Sequence, residues 1–303
     1  MCRVLSYLGK PIQADELLYK PDNSFIAQSY HPKYMSHLLN LAGFGIVAWE
    51  RNSHDPSIPF VYKAKSLPFY DENLRNLAIK INPYCLLAHL RGVAYNEKRI
   101  VSLQNVHPFR FEDKNIVLAH NGSLVDFDKM KFDLLEFIKP RYQKCIKGTT
   151  DSEWIYAIFL SQLQSVHDIT TDDLTQSIMQ TLEILRKVRV KYDISTTSPV
   201  NLFISNGEFI AATRYVFDYG WHPLNKISGH YTYHSLWYTY GDGYQFYDGE
   251  YKMKDSASKS SIIIASEPLT EDVTTWIELP EYSLIVAWLK EDKIEIVTKD
   301  ILL

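Results

Sequence analysis

At 303 residues the chain can bury one large core or two small ones. Hydrophobic residues at 46% and charged residues at 22% are ordinary for a folded globular protein, and a formal net charge of −4 counts against a nucleic-acid or anionic-membrane partner. Three cysteines, Cys2, Cys85 and Cys145, are too few and odd in number for a disulfide framework and fit a reducing compartment. Without a positive n-region ahead of a long apolar run at the start, no signal peptide is expected. The longest apolar stretch, LLNLAGFGIVAW, is about a dozen residues, short of the roughly 20 a bilayer span needs. A cytoplasmic protein without a membrane partner is expected.

The chain opens MCRVLSYLG, with a cysteine directly behind the initiator methionine. Loss of Met1, which a small second residue permits, leaves Cys2 with a thiol and an α-amine on one residue. An α-amine titrates at about 7.7–8.0, so near neutral pH it can take the thiol proton. The plainer reading is that Cys2 only starts a first strand, RVLSYL. Further short, β-branched-rich runs predict strands at FGIVAW (44–49), CLLAHLR (85–91) and NIVLAH (115–120). Others follow at NLFIS (201–205), EFIAAT (208–213), SIIIAS (261–266), YSLIVAWL (282–289) and KIEIVT (293–298).

Helical periodicity is predicted at 71–81, from Asp151 through SEWIYAIFLSQLQSV, and at 171–192. The last places Leu174, Ile178, Leu182, Leu185 and Val188 on one face. Basic residues between Lys129 and Lys147 alternate with acids, as on a solvated helix face. Strands come in adjacent pairs with helices between groups, which suggests stacked sheets with helices outside. The stretch 214–251 is crowded with aromatics; it reads as an irregular excursion covering the core or as a wall beside a site.

Several stretches could carry chemistry. Asn121-Gly122 closes IVLAHNG; it reads as a hairpin turn, or as an oxyanion hole made of a side-chain amide and the next backbone N–H. Thr150-Asp-Ser-Glu153 matches a helix capping box, which leaves Asp151 at a helix start where it could also meet an ammonium. Arg91 ends an apolar strand, with His89 on the same face, and needs an anion from the protein or from a substrate. His107 precedes Pro108 in a predicted turn. His230 and His234 have i, i+4 spacing but lack an HExxH-like acid, so no metal site is expected.

Taken in order, N-terminal Cys2, AHLR, NVHPF, AHNG and GTTDSE resemble the class II glutamine amidotransferases, a branch of the N-terminal nucleophile hydrolases. The later SNGEFIAATRY and IASEPLTED resemble the stand-alone members acting on γ-glutamyl compounds. The resemblance implies an α+β fold, a four-layer αββα sandwich, formed by residues 1–303 as one domain. It implies Cys2 as nucleophile on a γ-glutamyl amide, forming a thioester that water cleaves. Asn121 and Gly122 would hold the oxyanion, Arg91 the substrate α-carboxylate and Asp151 its α-ammonium. His107 would hold a loop near the nucleophile. No cofactor or metal is implied. A synthase domain beyond residue 298 is not expected, while a separate partner subunit stays open. Alternatives are a catalytically inactive binding subunit that keeps the fold, and an amidase for bile-salt or penicillin-like amides, against which the HNG and TDSE pairing argues.

Overall fold

The computed structural model describes residues 2–34, 39–93, 101–111, 114–218, 234–255 and 258–303. In chain order the first half forms β1 (Arg3–Leu8), α1 (Asp15–Leu18), β2 (Phe44–Trp49), β3 (Phe60–Ala64), α2 (Glu72–Ala78), β4 (Cys85–Leu90) and β5 (Val117–Gly122). Four helices follow: α3 (Phe127–Leu134), α4 (Pro140–Gln143), α5 (Asp151–Gln162) and α6 (Thr171–Lys191). The second half forms β6 (Ser198–Ser205), β7 (Phe209–Arg214), β8 (Val216–Phe217), β9 (Trp237–Gly241), β10 (Tyr244–Tyr247) and β11 (Glu250–Met253). It closes with β12 (Ser261–Ala265), β13 (Ile277–Glu278), β14 (Ser283–Lys290) and β15 (Lys293–Asp300).

Two antiparallel sheets stack face to face. One runs β13-β9-β12-β1-β4-β2-β3; the other runs β15-β14-β7-β6-β5, with β8 also pairing β6. Between them lies a layer of apolar residues, including Val4, Val47, Leu87, Ala119, Phe203, Ile264 and Ile285. Each large side chain in such a layer stabilises the fold by about 1.5–3 kcal/mol. The outer face of the second sheet is covered by α3, α5 and α6 through Leu134, Ile155, Phe159, Ile178 and Leu182. The outer face of the first packs on α1, α2 and the β10–β11 hairpin through Leu17, Leu74 and Tyr244. This is the expected α+β sandwich with two sheets inside and helices outside.

Each apolar run predicted as a strand is one, and all five predicted α6 face residues are buried. Three expectations need correction. Asn121-Gly122 is not a hairpin turn, because both residues pair within β5, opposite Asn201 and Val200. The segment 214–251 is not irregular where it is described. It supplies β9 to the first sheet, and its Tyr-rich alternation hides a strand because tyrosine is tolerated on both faces. Residues 219–233, with His230, lie outside the described residues. The capping box at α5 is half made: Thr150 Oγ1 accepts from Glu153 N, but the Glu153 carboxylate accepts from Lys147 N and Gly148 N instead of returning to Thr150. The full reciprocal box stands at α6, between Thr170 and Asp173.

Candidate active site

The expected site residues converge through sheet register. In the first sheet His89 on β4 is flanked by Val4 on β1 and Gly45 on β2, so all three share one row and one face. Extending that register brings the start of β1 beside Arg91, whose N–H donates to Gly43 O at 2.9 Å. The outcome is direct contact between the two ends: Gly92 N–H donates to Cys2 Sγ at 3.4 Å, and Sγ lies 3.7 Å from Gly92 O. Cys2 and Arg91 are both buried.

The second sheet supplies Asn121 and Gly122 from β5. Ser123 N–H donates to Pro199 O, so by antiparallel alternation the Gly122 N–H turns away from β6 toward the open edge of the sheet. The same edge carries the neighbouring contacts. Leu118 exchanges both backbone hydrogen bonds with Phe109, and Leu124 N–H donates to Asp151 Oδ2 at 2.6 Å. Gly122 allows a close approach on its other side, since a Cβ there would lie 1.9 Å from Pro199 O. Asn121 is fully buried; its Nδ2 donates to Ser266 Oγ at 3.3 Å, and its Oδ1 has no donor among the described residues.

Asp151 is the first helical residue of α5. Besides Leu124 N–H it accepts from Ser152 N–H at 2.8 Å, and the Ser152 hydroxyl oxygen lies 3.2 Å from the same Oδ1. A carboxylate offers about four lone-pair positions, so capacity for a further donor remains. His120 reaches the same helix start: its Nε2 faces Pro199 O at 3.4 Å and its Nδ1 lies 2.9 Å from Ser152 Oγ. A carbonyl only accepts, so Nε2 carries the proton and Nδ1 accepts from Ser152.

His107 lies behind this group. Its carbonyl sits where a Cβ on Gly45 would be, at 2.1 Å, and its ring stacks on His89 with centroids 4.0 Å apart. Burial holds the His89 imidazole down to about 3 and the His107 imidazole well below its ordinary value, and the cationic neighbours Lys63 and Arg91 push both the same way. His120 is lowered by burial too, with Asp151 pulling the other way. These rings are neutral packing groups around neutral pH, and His107 packs against the strand that ends in Arg91. Lys63, on the edge strand β3, faces the same layer over the Phe109 ring; burial pushes its ammonium down to about 8 against the field of Glu153.

Two features of the site were missed from sequence. Arg3 and Glu267 form an ion pair with neither side chain exposed, and Arg3 Nη1 donates to Cys2 O at 3.1 Å. Glu267 Oε2 also accepts from Tyr34 N at 2.9 Å. The available signal was a single charge of each sign at the ends of two apolar strands, RVLSYL and SIIIAS. The second feature is Ser266, which joins Asn121 to β1. Among the described residues no group of three or more His, Cys, Asp or Glu side chains is arranged to hold a metal, and no helix is long and apolar enough to cross a membrane.

Comparison with known proteins bears on this arrangement. The chain is 28% identical over 304 residues to the probable glutamine amidotransferase DUG3 of Saccharomyces cerevisiae, covering 94% of this chain and 81% of that protein. It is 26% identical over 127 residues to the gamma-glutamyl-hercynylcysteine sulfoxide hydrolase of Mycolicibacterium smegmatis, covering 42% of this chain and 52% of that one. Among solved structures, a glutamine aminotransferase class-II domain protein from Silicibacter pomeroyi superposes over 99% of both chains, with a TM-score of 0.60 and 18% identity. Glutamine phosphoribosylpyrophosphate amidotransferase from B. subtilis gives 0.57 and 17%, covering 99% of this chain and 49% of that one, so this chain spans about half its length. Both structures share the sandwich fold. The family description "Glutamine amidotransferases class-II" matches residues 69–298, and the chain belongs to that family.

Proposed function

We propose that the protein hydrolyses a γ-glutamyl amide through a thioester on Cys2. The observation that carries this reading is the placement of the Cys2 thiol on Gly92, next to Arg91, at the sandwich end where β5 presents Asn121 and Gly122. The name of the M. smegmatis relative, a γ-glutamyl hydrolase, supports the substrate class. With Met1 removed, the α-amine of Cys2 takes the thiol proton as sulfur attacks the γ-carbonyl. The oxyanion forms against Asn121 Nδ2 and Gly122 N–H. As the C–N bond breaks, the proton passes to the departing amine. Water then attacks the thioester and releases glutamate. Arg91 holds the α-carboxylate and Asp151 the α-ammonium, while His107 keeps its loop packed behind Arg91. A site that reads both charges of an amino acid discriminates against analogues lacking either.

In this reading residues 1–303 act as one amidotransferase domain, supported by β1 lying between β12 and β4 and by β14 pairing β7. The free cysteines support a cytoplasmic setting.

The test is intact mass before and after incubation with a diazo-ketone analogue of glutamine, with Cys2→Ala alongside. Loss of Met1 and a single adduct absent from the variant are expected. A retained Met1 and no adduct would favour an inactive binding subunit; loss of Met1 with Cys2 unlabelled would remove Arg91 and Asp151 from their roles.

A further inference from the structure

Ser266 stands directly after β12 and reaches both halves of the proposed site. Its backbone N–H donates to Val4 O at 2.9 Å, and its Oγ accepts from Val4 N at 3.0 Å. The side chain thus takes the place of a ladder carbonyl, two residues from the nucleophile. The same Oγ accepts from Asn121 Nδ2 at 3.3 Å, across the sheet interface and 145 residues away in sequence. Ser235 Oγ secures the arrangement from behind by donating to Ser266 O at 2.8 Å. Ser266 and Asn121 are 1% and 0% exposed, so water does not substitute for these bonds.

We infer that Ser266 is a positioning residue for the oxyanion hole: its hydroxyl oxygen holds one N–H of Asn121 so that the other points at the developing oxyanion beside Cys2. This rests on the catalytic reading proposed above and adds a residue to it. A primary amide has two N–H groups on one nitrogen. Ser266 takes one, and planarity then fixes the direction of the other. Because Ser266 also grips Val4, the amide and the nucleophile's strand are held to one atom, and their separation is set before substrate arrives. Such preorganised donors act on the charge that develops in the transition state, not on ground-state binding.

The test compares wild type, Cys2→Ala, Ser266→Ala, Asn121→Ala and the Ser266→Ala/Asn121→Ala double variant. Hydrolysis of γ-glutamyl-p-nitroanilide is read alongside the alkylation rate of Cys2 by iodoacetamide. Alkylation at a saturated carbon builds no oxyanion, so it reports on the thiol alone. Ser266→Ala should lower kcat about 10- to 100-fold with KM within about twofold, below the full loss expected for an oxyanion donor itself. Alkylation should be unchanged. In the Asn121→Ala background the same substitution should cost less than about twofold, since the group it orients is gone. Ser266→Thr, which keeps the oxygen, should retain most of kcat. Additive losses, a wild-type kcat in Ser266→Ala, parallel loss of alkylation and turnover, or failure of Ser266→Ala to fold would each overturn the inference. A wild type inert toward the anilide, or a Cys2→Ala variant that keeps its activity, would instead overturn the catalytic reading and this inference with it.

Discussion

Cys2 and Cys85 are set in different surroundings by the fold. Cys85 lies fully buried between the sheets against Ser205 Oγ, and burial pushes its thiol up to about 12. Iodoacetamide at pH 8 should therefore leave Cys85 unmodified in the folded protein while Cys2 reacts, which peptide mapping after a timed quench reads directly. Gly122 is a second residue whose identity is dictated by space. A Cβ at that position would sit 1.9 Å from Pro199 O and 2.5 Å from His120 Nε2, and neither a strand carbonyl nor a wedged imidazole can move far. Gly122→Ala should cost about 1–3 kcal/mol or more by overpacking. It should also depress turnover, because relief requires shifting the strand edge that carries the Gly122 N–H; urea midpoints and kcat measured together test both. That glycine was legible in sequence as part of an Asn-Gly pair, but the pair reads equally as a turn. Only the partner strand shows that its N–H faces an open edge.

At the level of elements, α5 joins a local signal to a distant use. Thr150 caps it, Asp151 starts it, and nearly every side chain along it is buried between the second sheet and the outer helices. The helix was readable from its cap and apolar run, though it ends at Gln162 rather than continuing to Val166. Leu163 takes extended backbone angles, and the polar Gln164 and Ser165 that follow it break the apolar run before Val166. Thr150→Ala should cost about 1 kcal/mol by thermal or urea unfolding. It should also raise KM for γ-glutamyl substrates more than it lowers kcat, because fraying the first turn loosens Asp151. Strand β3 shows the opposite case. Phe60–Ala64 is short, lies at a sheet edge and carries Lys63 inward, so no clean alternation marks it. Its place is secured by tertiary contacts, among them Tyr62 OH donating to Asp71, which also caps α2.

Across the whole molecule, buried histidines tie stability to pH. His89 and His234 are held down to about 3 by burial, and His107 is also strongly lowered. Between the unfolded value of about 6.5 and these folded values the unfolded chain binds more protons, so unfolding free energy falls as pH drops. Each such group contributes up to about 1.4 kcal/mol per pH unit in that window. Urea midpoints should be level above pH 7 and decline steeply below about 6.5, and His89→Gln should flatten the slope by about one proton. A pH-independent midpoint between 7 and 5 would contradict this. The buried Arg3–Glu267 pair links the first strand to the end of β12. Glu267→Gln removes the carboxylate from this buried pair and should cost about 3–5 kcal/mol, with Tm as the readout.

The strands and helices predicted from apolar runs were determined by the sequence alone, because alternation, 3.6-residue periodicity and capping are properties of a few adjacent residues. The order Cys2, Arg91, His107, Asn121-Gly122 and Asp151 was visible for a similar reason: each motif is short. What only the tertiary structure decided is how these pieces face one another. β9 enters the central sheet, Arg3 meets Glu267, and Ser266 bridges Val4 to Asn121. Such meetings depend on strand register, where a slip of one residue turns every side chain to the other face, and that register is set by packing between segments far apart in the chain.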